Sequence, residues 1–69
     1  MKICDCKAFG RMLKERRKKQ GYTQEYVSEL TGLSVSFLSN LENGKETAEL
    51  GRAIHYAMIL GLDIELNER

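Results

Sequence analysis

With 69 residues the chain has room for one small domain, below the size at which a single core is comfortably stable, so self-association is expected. Apolar residues make up 42% of it, with no proline or tryptophan, a composition that favours a compact, mostly helical fold. No stretch approaches the run of about 20 apolar residues that spans a membrane, and M-K-I-C-D-C-K lacks the apolar core of a secretion signal. A soluble, cytoplasmic protein is therefore expected. The net charge of +1 hides an asymmetry: residues 1–21 carry eight Lys/Arg against Asp5 and Glu15, while residues 22–69 carry Lys45, Arg52 and Arg69 against eight acids. That split suits a basic face toward an anionic partner, and equally an ordinary solvated helix surface.

In chain order, Met1–Lys7 has no clear period. Cys4 and Cys6 are too close to bridge without strain and too few for a four-ligand zinc site in one chain; a dimer assembling four thiolates is the alternative, and reduced, incidental thiols with no metal and no cofactor are the expectation. Ala8–Gln20 reads as a helix: Phe9, Met12 and Leu13 form an apolar stripe, Lys18 and Lys19 complement the dipole in the last turn, and Gly21 stops it. Arg16 and Arg17 follow Met12 and Leu13 at helical spacing, so at least one stem covers or enters the core edge.

Gly21–Lys45 organises the rest. Thr23 and Ser34 are N-cap residues inside hydrophobic staples, Tyr22 with Val27 and Leu33 with Leu38. Gly32 between them can take the positive φ that ends one helix and turns the chain. Two short helices, about Gln24–Thr31 and Val35–Asn43, joined by a tight glycine turn read as a helix-turn-helix, whose second helix enters the major groove of DNA. Val27 and Leu30 are expected inward on the first, Leu38 and Leu41 on the second, which ends at Gly44. The opposite face of the second helix presents Val35, Ser36, Ser39 and Asn40. A solvent-facing helix normally carries Lys and Glu, which have the better helix propensity. Short uncharged donors and acceptors suit base edges instead: Asn40 for adenine, Val35 for a thymine methyl, the serines for several edges. Gln24 stands at a helix N-terminus, where phosphates bind. Ser34 and Phe37 at one end of the reading helix, and Asn43 and Lys45 at the other, complete the expected backbone contacts.

Glu46–Glu49 is a connector, followed by a helix at about Leu50–Leu60 with Leu50, Ile54, Ala57 and Leu60 inward and Gly51 weakening its first turn. His55 has no partner nucleophile or second ligand and reads as a surface residue. In residues 62–67 the period changes to two: Leu62, Ile64 and Leu66 alternate with Asp63, Glu65 and Asn67, the pattern of a half-buried strand. A single strand is not stable alone; it would pair with Lys2–Cys4 or, preferably, with its own copy across a two-fold axis, making Leu62, Ile64 and Leu66 dimerisation residues.

The run L-K-E-R-R-K-K-Q-G-Y-T-Q-E-Y-V-S-E-L-T-G-L-S-V-S-F-L-S-N-L-E-N-G-K resembles the Cro/C1-type helix-turn-helix family, to which phage repressors belong; T-Q-E, G-L-S and L-E-N-G-K carry most of the likeness, which covers about residues 9–60. The resemblance implies a four- to five-helix lambda-repressor-like domain over residues 1–69, with its helix-turn-helix core at 23–43. It implies that Gln24 clamps phosphate, that Val35, Ser36, Ser39 and Asn40 face bases, that Asn43 and Lys45 contact the backbone, and that Arg17 and Glu42 form a structural ion pair. Arg16 departs from the family, standing where many members place an apolar residue. The reading face also lacks Arg, Lys and Gln, a thin set that leaves specificity leaning on dimer spacing and DNA deformability.

Helix four running into L-G-L-D-I-E-L resembles the HipB-like antitoxin branch, which implies an intermolecular sheet, a kinase-like toxin as partner and repression of a shared operon. The expected function is a dimeric, sequence-specific transcriptional repressor on a palindromic operator in double-stranded DNA. The alternatives are a free-standing phage or restriction-modification regulator, and a helical interaction module that does not bind DNA. An enzyme is disfavoured: one histidine, no C-x-x-C, no phosphate-cradling glycine loop and no nucleophile–base pair.

Overall fold

The computed structural model describes residues 2–69 as four helices: α1 (Cys6–Lys19), α2 (Gln24–Thr31), α3 (Val35–Glu42) and α4 (Leu50–Ile59). Helix α1 starts two residues before the sequence suggests. Asp5 is its N-cap, taking the Ala8 N–H on its carboxylate at 2.8 Å, which satisfies an otherwise orphan donor. At its other end Arg16, Arg17, Lys18 and Lys19 lie where the dipole favours cations.

The caps of the central pair form as expected. Thr23 Oγ1 accepts from Tyr26 N–H and Ser34 Oγ from Phe37 N–H, both at 3.0 Å. Gly32, at φ +80°, closes α2 with its N–H on Ser28 O. Helix α1 crosses α3 at Gly10, which is buried; a Cβ there would collide with Leu41 O and sit 2.6 Å from Glu42 O. Only glycine permits that approach, and it is what lets α1 lie directly on the last turn of α3.

The core gathers Leu13 of α1, Val27 of α2, Leu33, Leu38 and Leu41 at and in α3, and Ala53, Tyr56, Ala57 and Leu60 at α4. Phe9, Tyr22, Phe37, Ala48 and Leu62 pack around it half-buried. Three residues expected inward face out instead. Leu30 is 57% exposed, because Val27 alone fills the short inward face of α2 while Tyr22 and Tyr26 pair beside it with ring centroids 5.0 Å apart. On α4, Leu50 is 72% exposed and Ile54 also faces out; the buried stripe is Ala53, Tyr56, Ala57 and Leu60. The helix is rotated because Tyr56 must bring its hydroxyl to a buried partner and Leu60 its carbonyl to α1. Arg16 Nε and Gln20 Nε2 both donate to Leu60 O at 2.9 Å, tying the end of α4 to the end of α1. This contact gives Arg16 a place that an apolar residue could not fill, since only a donor can satisfy a C-terminal carbonyl.

Residues 62–69 form no strand within the chain, and neither does Lys2–Cys4, so the expected strand at 62–67 is not present among the described residues. A strand draws its hydrogen bonds from a second strand, and the described chain offers it no edge. Leu62 packs half-buried, whereas Ile64 and Leu66 are exposed.

Candidate nucleic-acid interface

The sequence-predicted base-reading residues share one side of α3. Ser36 and Asn40 are exposed, and Val35 and Ser39 are half-buried beside them. None carries charge or a long side chain, so the helix backbone rather than side-chain reach must bring them to a ligand. Ser34 lies at the N-terminal end of this face, exposed, its Oγ accepting the Phe37 N–H while its own hydroxyl hydrogen can still donate. Phe37 has its N–H committed to that cap and its ring half-buried against the core. Asn43, the C-cap, and Lys45 are exposed at the other end, where Lys45 N–H closes onto Asn40 O at 3.0 Å.

What fixes α3 is a buried polar centre around Glu42, its last residue, which is 5% exposed. Arg17 of α1, 7% exposed, grips the carboxylate with two parallel bonds, Nε to Oε2 at 2.7 Å and Nη2 to Oε1 at 3.0 Å. Its remaining nitrogen, Nη1, donates to Tyr22 O at 2.8 Å, which tethers the entry of α2. A planar guanidinium makes such a fork where a lysine could not. Gln24 Nε2 of α2 adds a bond to Oε1 at 3.1 Å, and Tyr56 of α4, completely buried, donates its hydroxyl to Oε2 at 2.5 Å. One carboxylate on α3 thus holds α1, α2 and α4 together.

The electrostatics follow from these partners. Burial alone pushes the Glu42 carboxyl up, but the hydrogen bonds from Arg17, Tyr56 and Gln24 and the charge of Arg17 outweigh it, leaving the group below the usual carboxylate range. Arg17 is raised, first by its hydrogen bond to Glu42 and against its own burial. The Tyr56 phenol is pushed far above its ordinary value, by burial first and then by donation to Glu42 and the carboxylate's charge. The centre is therefore a single Arg⁺–Glu⁻ pair with a neutral phenol throughout the physiological range.

The Arg17–Glu42 pair matches what the resemblance implies. Two members of the centre were not foreseen. Gln24, expected as an open phosphate clamp, is half-buried with one amide N–H already on Glu42. Tyr56 was invisible because the apolar pattern of α4 admits more than one inward face; a tyrosine amid apolar residues is itself a hint, since a buried hydroxyl needs a partner.

No helix among the described residues is long and apolar enough to cross a membrane. The helix-turn-helix family model matches residues 13–67. Among similar proteins are the HTH-type transcriptional regulator y4mF of Sinorhizobium fredii (strain NBRC 101917 / NGR234), 30% identical over 84% of this chain and 76% of its own length, and an HTH-type transcriptional regulator of Haemophilus influenzae (strain ATCC 51907 / DSM 11121 / KW20 / Rd), 33% identical over 91% of this chain and 62% of its own. The ImmF control region 10 kDa protein of Bacillus phage phi105 is 27% identical over 93% and 71%. Among solved structures, a HipB–O4 20mer complex superposes with a TM-score of 0.89 at 24% identity, covering 99% of this chain and 96% of that one, a likeness of fold. The chain belongs to the Cro/C1-type helix-turn-helix family of transcriptional regulators.

Proposed function

We propose that the protein is a dimeric, sequence-specific DNA-binding repressor acting in the cytoplasm. In this reading α3 lies in the major groove, with Val35, Ser36, Ser39 and Asn40 on base edges and Gln24, Ser34, Asn43 and Lys45 on the flanking phosphates. The observation that carries it is the uncharged, short-chained outer face of α3, held rigidly by Glu42 beside the N-terminus of α2. A solvent-facing helix has no use for that face, whereas close approach to DNA does. Phe37 serves by packing the start of α3 rather than through its N–H, which the Ser34 cap occupies.

Dimerisation is supported by exposed apolar side chains that a partner would cover: Leu50, Ile54 and Met58 at four-residue spacing on α4, and Ile3, Ile64 and Leu66 near the two ends of the chain. Exposed patches of this kind mark interaction sites, and Leu62, Ile64 and Leu66 would find the missing strand partner in a second copy. Half-sites would then lie about 34 Å apart on a palindromic operator.

Within this class, an antitoxin with a kinase-like toxin partner is favoured by the tail pattern and by the fold likeness to HipB in its 20mer complexes. A phage-type regulator is the second reading, supported by the similarity to the phi105 control-region protein. Selection of bound sites from random DNA tests the main proposal. An enriched palindrome with a fixed half-site spacing is expected, with binding that weakens steeply as salt rises. No enriched sequence, or a flat salt dependence, would refute it in favour of a protein-interaction module.

A further inference from the structure

Tyr56 sits on α4, outside the helix-turn-helix, yet its hydroxyl ends on the last residue of α3. The Glu42 carboxylate offers about four acceptor positions. In the structure four donors use them: Arg17 Nε and Tyr56 OH on Oε2, and Arg17 Nη2 and Gln24 Nε2 on Oε1. Arg17 already supplies the compensating charge, so the phenol is not needed for neutrality. What it adds is orientation. The Arg17 fork already ties both oxygens to α1; the phenol adds a tie from α4 on Oε2, so the carboxylate is held from two sides and Oε1 stays on the Gln24 amide.

That has a consequence for Gln24. A carboxylate only accepts hydrogen bonds, so the carboxamide must turn its nitrogen, not its oxygen, toward Glu42. One of the two Nε2 hydrogens is used there, leaving the second to donate elsewhere. Gln24 is also the first residue of α2, beside the N–H groups that have no intrahelical partner.

We propose that Tyr56 is a positioning residue for the DNA contact of α2: by locking Glu42 through Oε2 it sets the Gln24 amide so that its second N–H meets a backbone phosphate. This rests on the DNA-binding reading above. It makes the affinity for DNA depend on a hydroxyl in the core of the protein, on a helix that does not touch the groove.

The test is a double-mutant cycle in the full chain, with Tyr56→Phe and Gln24→Ala alone and combined, each measured by fluorescence anisotropy on the selected site at a temperature where all four proteins are folded. Tyr56→Phe should weaken binding about tenfold per half-site, the low end of what a hydrogen bond to a charged acceptor contributes. Gln24→Ala should weaken it at least as much, and the double variant should bind no worse than Gln24→Ala. In the free protein, the side-chain amide resonances of Gln24 should shift in Tyr56→Phe, a readout that needs no DNA. Wild-type binding by Tyr56→Phe, losses that multiply in the double variant, or an unmoved Gln24 amide would each overturn the proposal while leaving DNA binding standing. Absence of DNA binding by the unaltered chain would overturn both.

Discussion

Replacing Arg17 by methionine is the sharpest probe of the buried centre, because it keeps the stem that packs against the core and removes only the guanidinium. The change strips two donors from a carboxylate whose side chain is 2% exposed and leaves Tyr22 O without its 2.8 Å bond. Tyr56 and Gln24 remain, but neither carries charge. Removing one partner of a buried ion pair costs about 3–5 kcal/mol, because the other charge stays desolvated. A domain of this length holds about 3–10 kcal/mol in total, so Arg17→Met should lie at or near the edge of folding. Its melting temperature should fall by roughly 12–40 °C, at 4–8 °C per kcal/mol for a domain this small.

The pH dependence makes the argument specific. In the wild type the Glu42 carboxyl sits below its unfolded value of about 4.3, so its contribution is present above that pH and is lost as pH falls through the folded value. In Arg17→Met burial dominates and the carboxyl rises instead, so acidification relieves the defect. The stability gap between the two proteins, read from urea titrations followed by circular dichroism, should be widest at neutral pH and narrow toward pH 3. A gap below about 1 kcal/mol, or one that stays constant with pH, would refute a desolvated Glu42 as the cause.

Gly10→Ala should cost at least about 1–3 kcal/mol in chemical denaturation, since the new methyl meets the Leu41 and Glu42 carbonyls and must push α1 off α3; a neutral result would mean the two helices are not so closely held. Asn40→Ala should cost roughly 1–3 kcal/mol on the preferred site and relax one base position, whereas Lys45→Ala should weaken all sequences alike and flatten the salt slope by about one unit. Exchange of those two phenotypes in competition binding would invert their assigned roles. Ile64→Asp should leave a folded monomer by light scattering if the tail pairs between copies, and a persistent dimer would move the interface to α4.

Local devices were the most legible part of the fold. Each of Thr23, Gly32 and Ser34 acts within four residues of itself, so the bounds of α2 and the start of α3 follow from the chain alone. Asp5 was hidden because no apolar period precedes Phe9 to announce a helix, although an aspartate cap needs none. On α4 the sequence places Ala57 and Leu60 inward correctly, and Leu50 and Ile54 depart from it for a nonlocal reason. Apolar residues occur nearly all round it, and what selects the inward face is a hydroxyl reaching Glu42 and a carbonyl reaching Arg16 and Gln20, both more than a dozen residues away. Leu30 shows the limit of period counting in a helix of eight residues, where two apolar positions do not define a stripe. The strand pattern of the tail is a property of its residues, but its realisation depends on a partner edge.

The buried centre also bears on how so slight a reading face could discriminate sequences. Serine, valine and asparagine reach little beyond the helix surface, so in the proposed DNA complex a small tilt of α3 would lift all four candidate residues off the bases. A buried ion pair is seldom more stabilising than a well-packed apolar replacement; its better-attested use is to impose one arrangement, and here it fixes α3 against three other helices at once. Combining Arg17→Met, Glu42→Leu and Tyr56→Phe removes every unpaired buried charge and should recover more than half of the stability lost in Arg17→Met. If orientation is what the centre supplies, that folded variant should keep its salt-dependent affinity for random DNA and lose most of its preference for the selected site. Full retention of the preference would mean that apolar packing alone orients α3, and that the polar centre has no part in reading DNA.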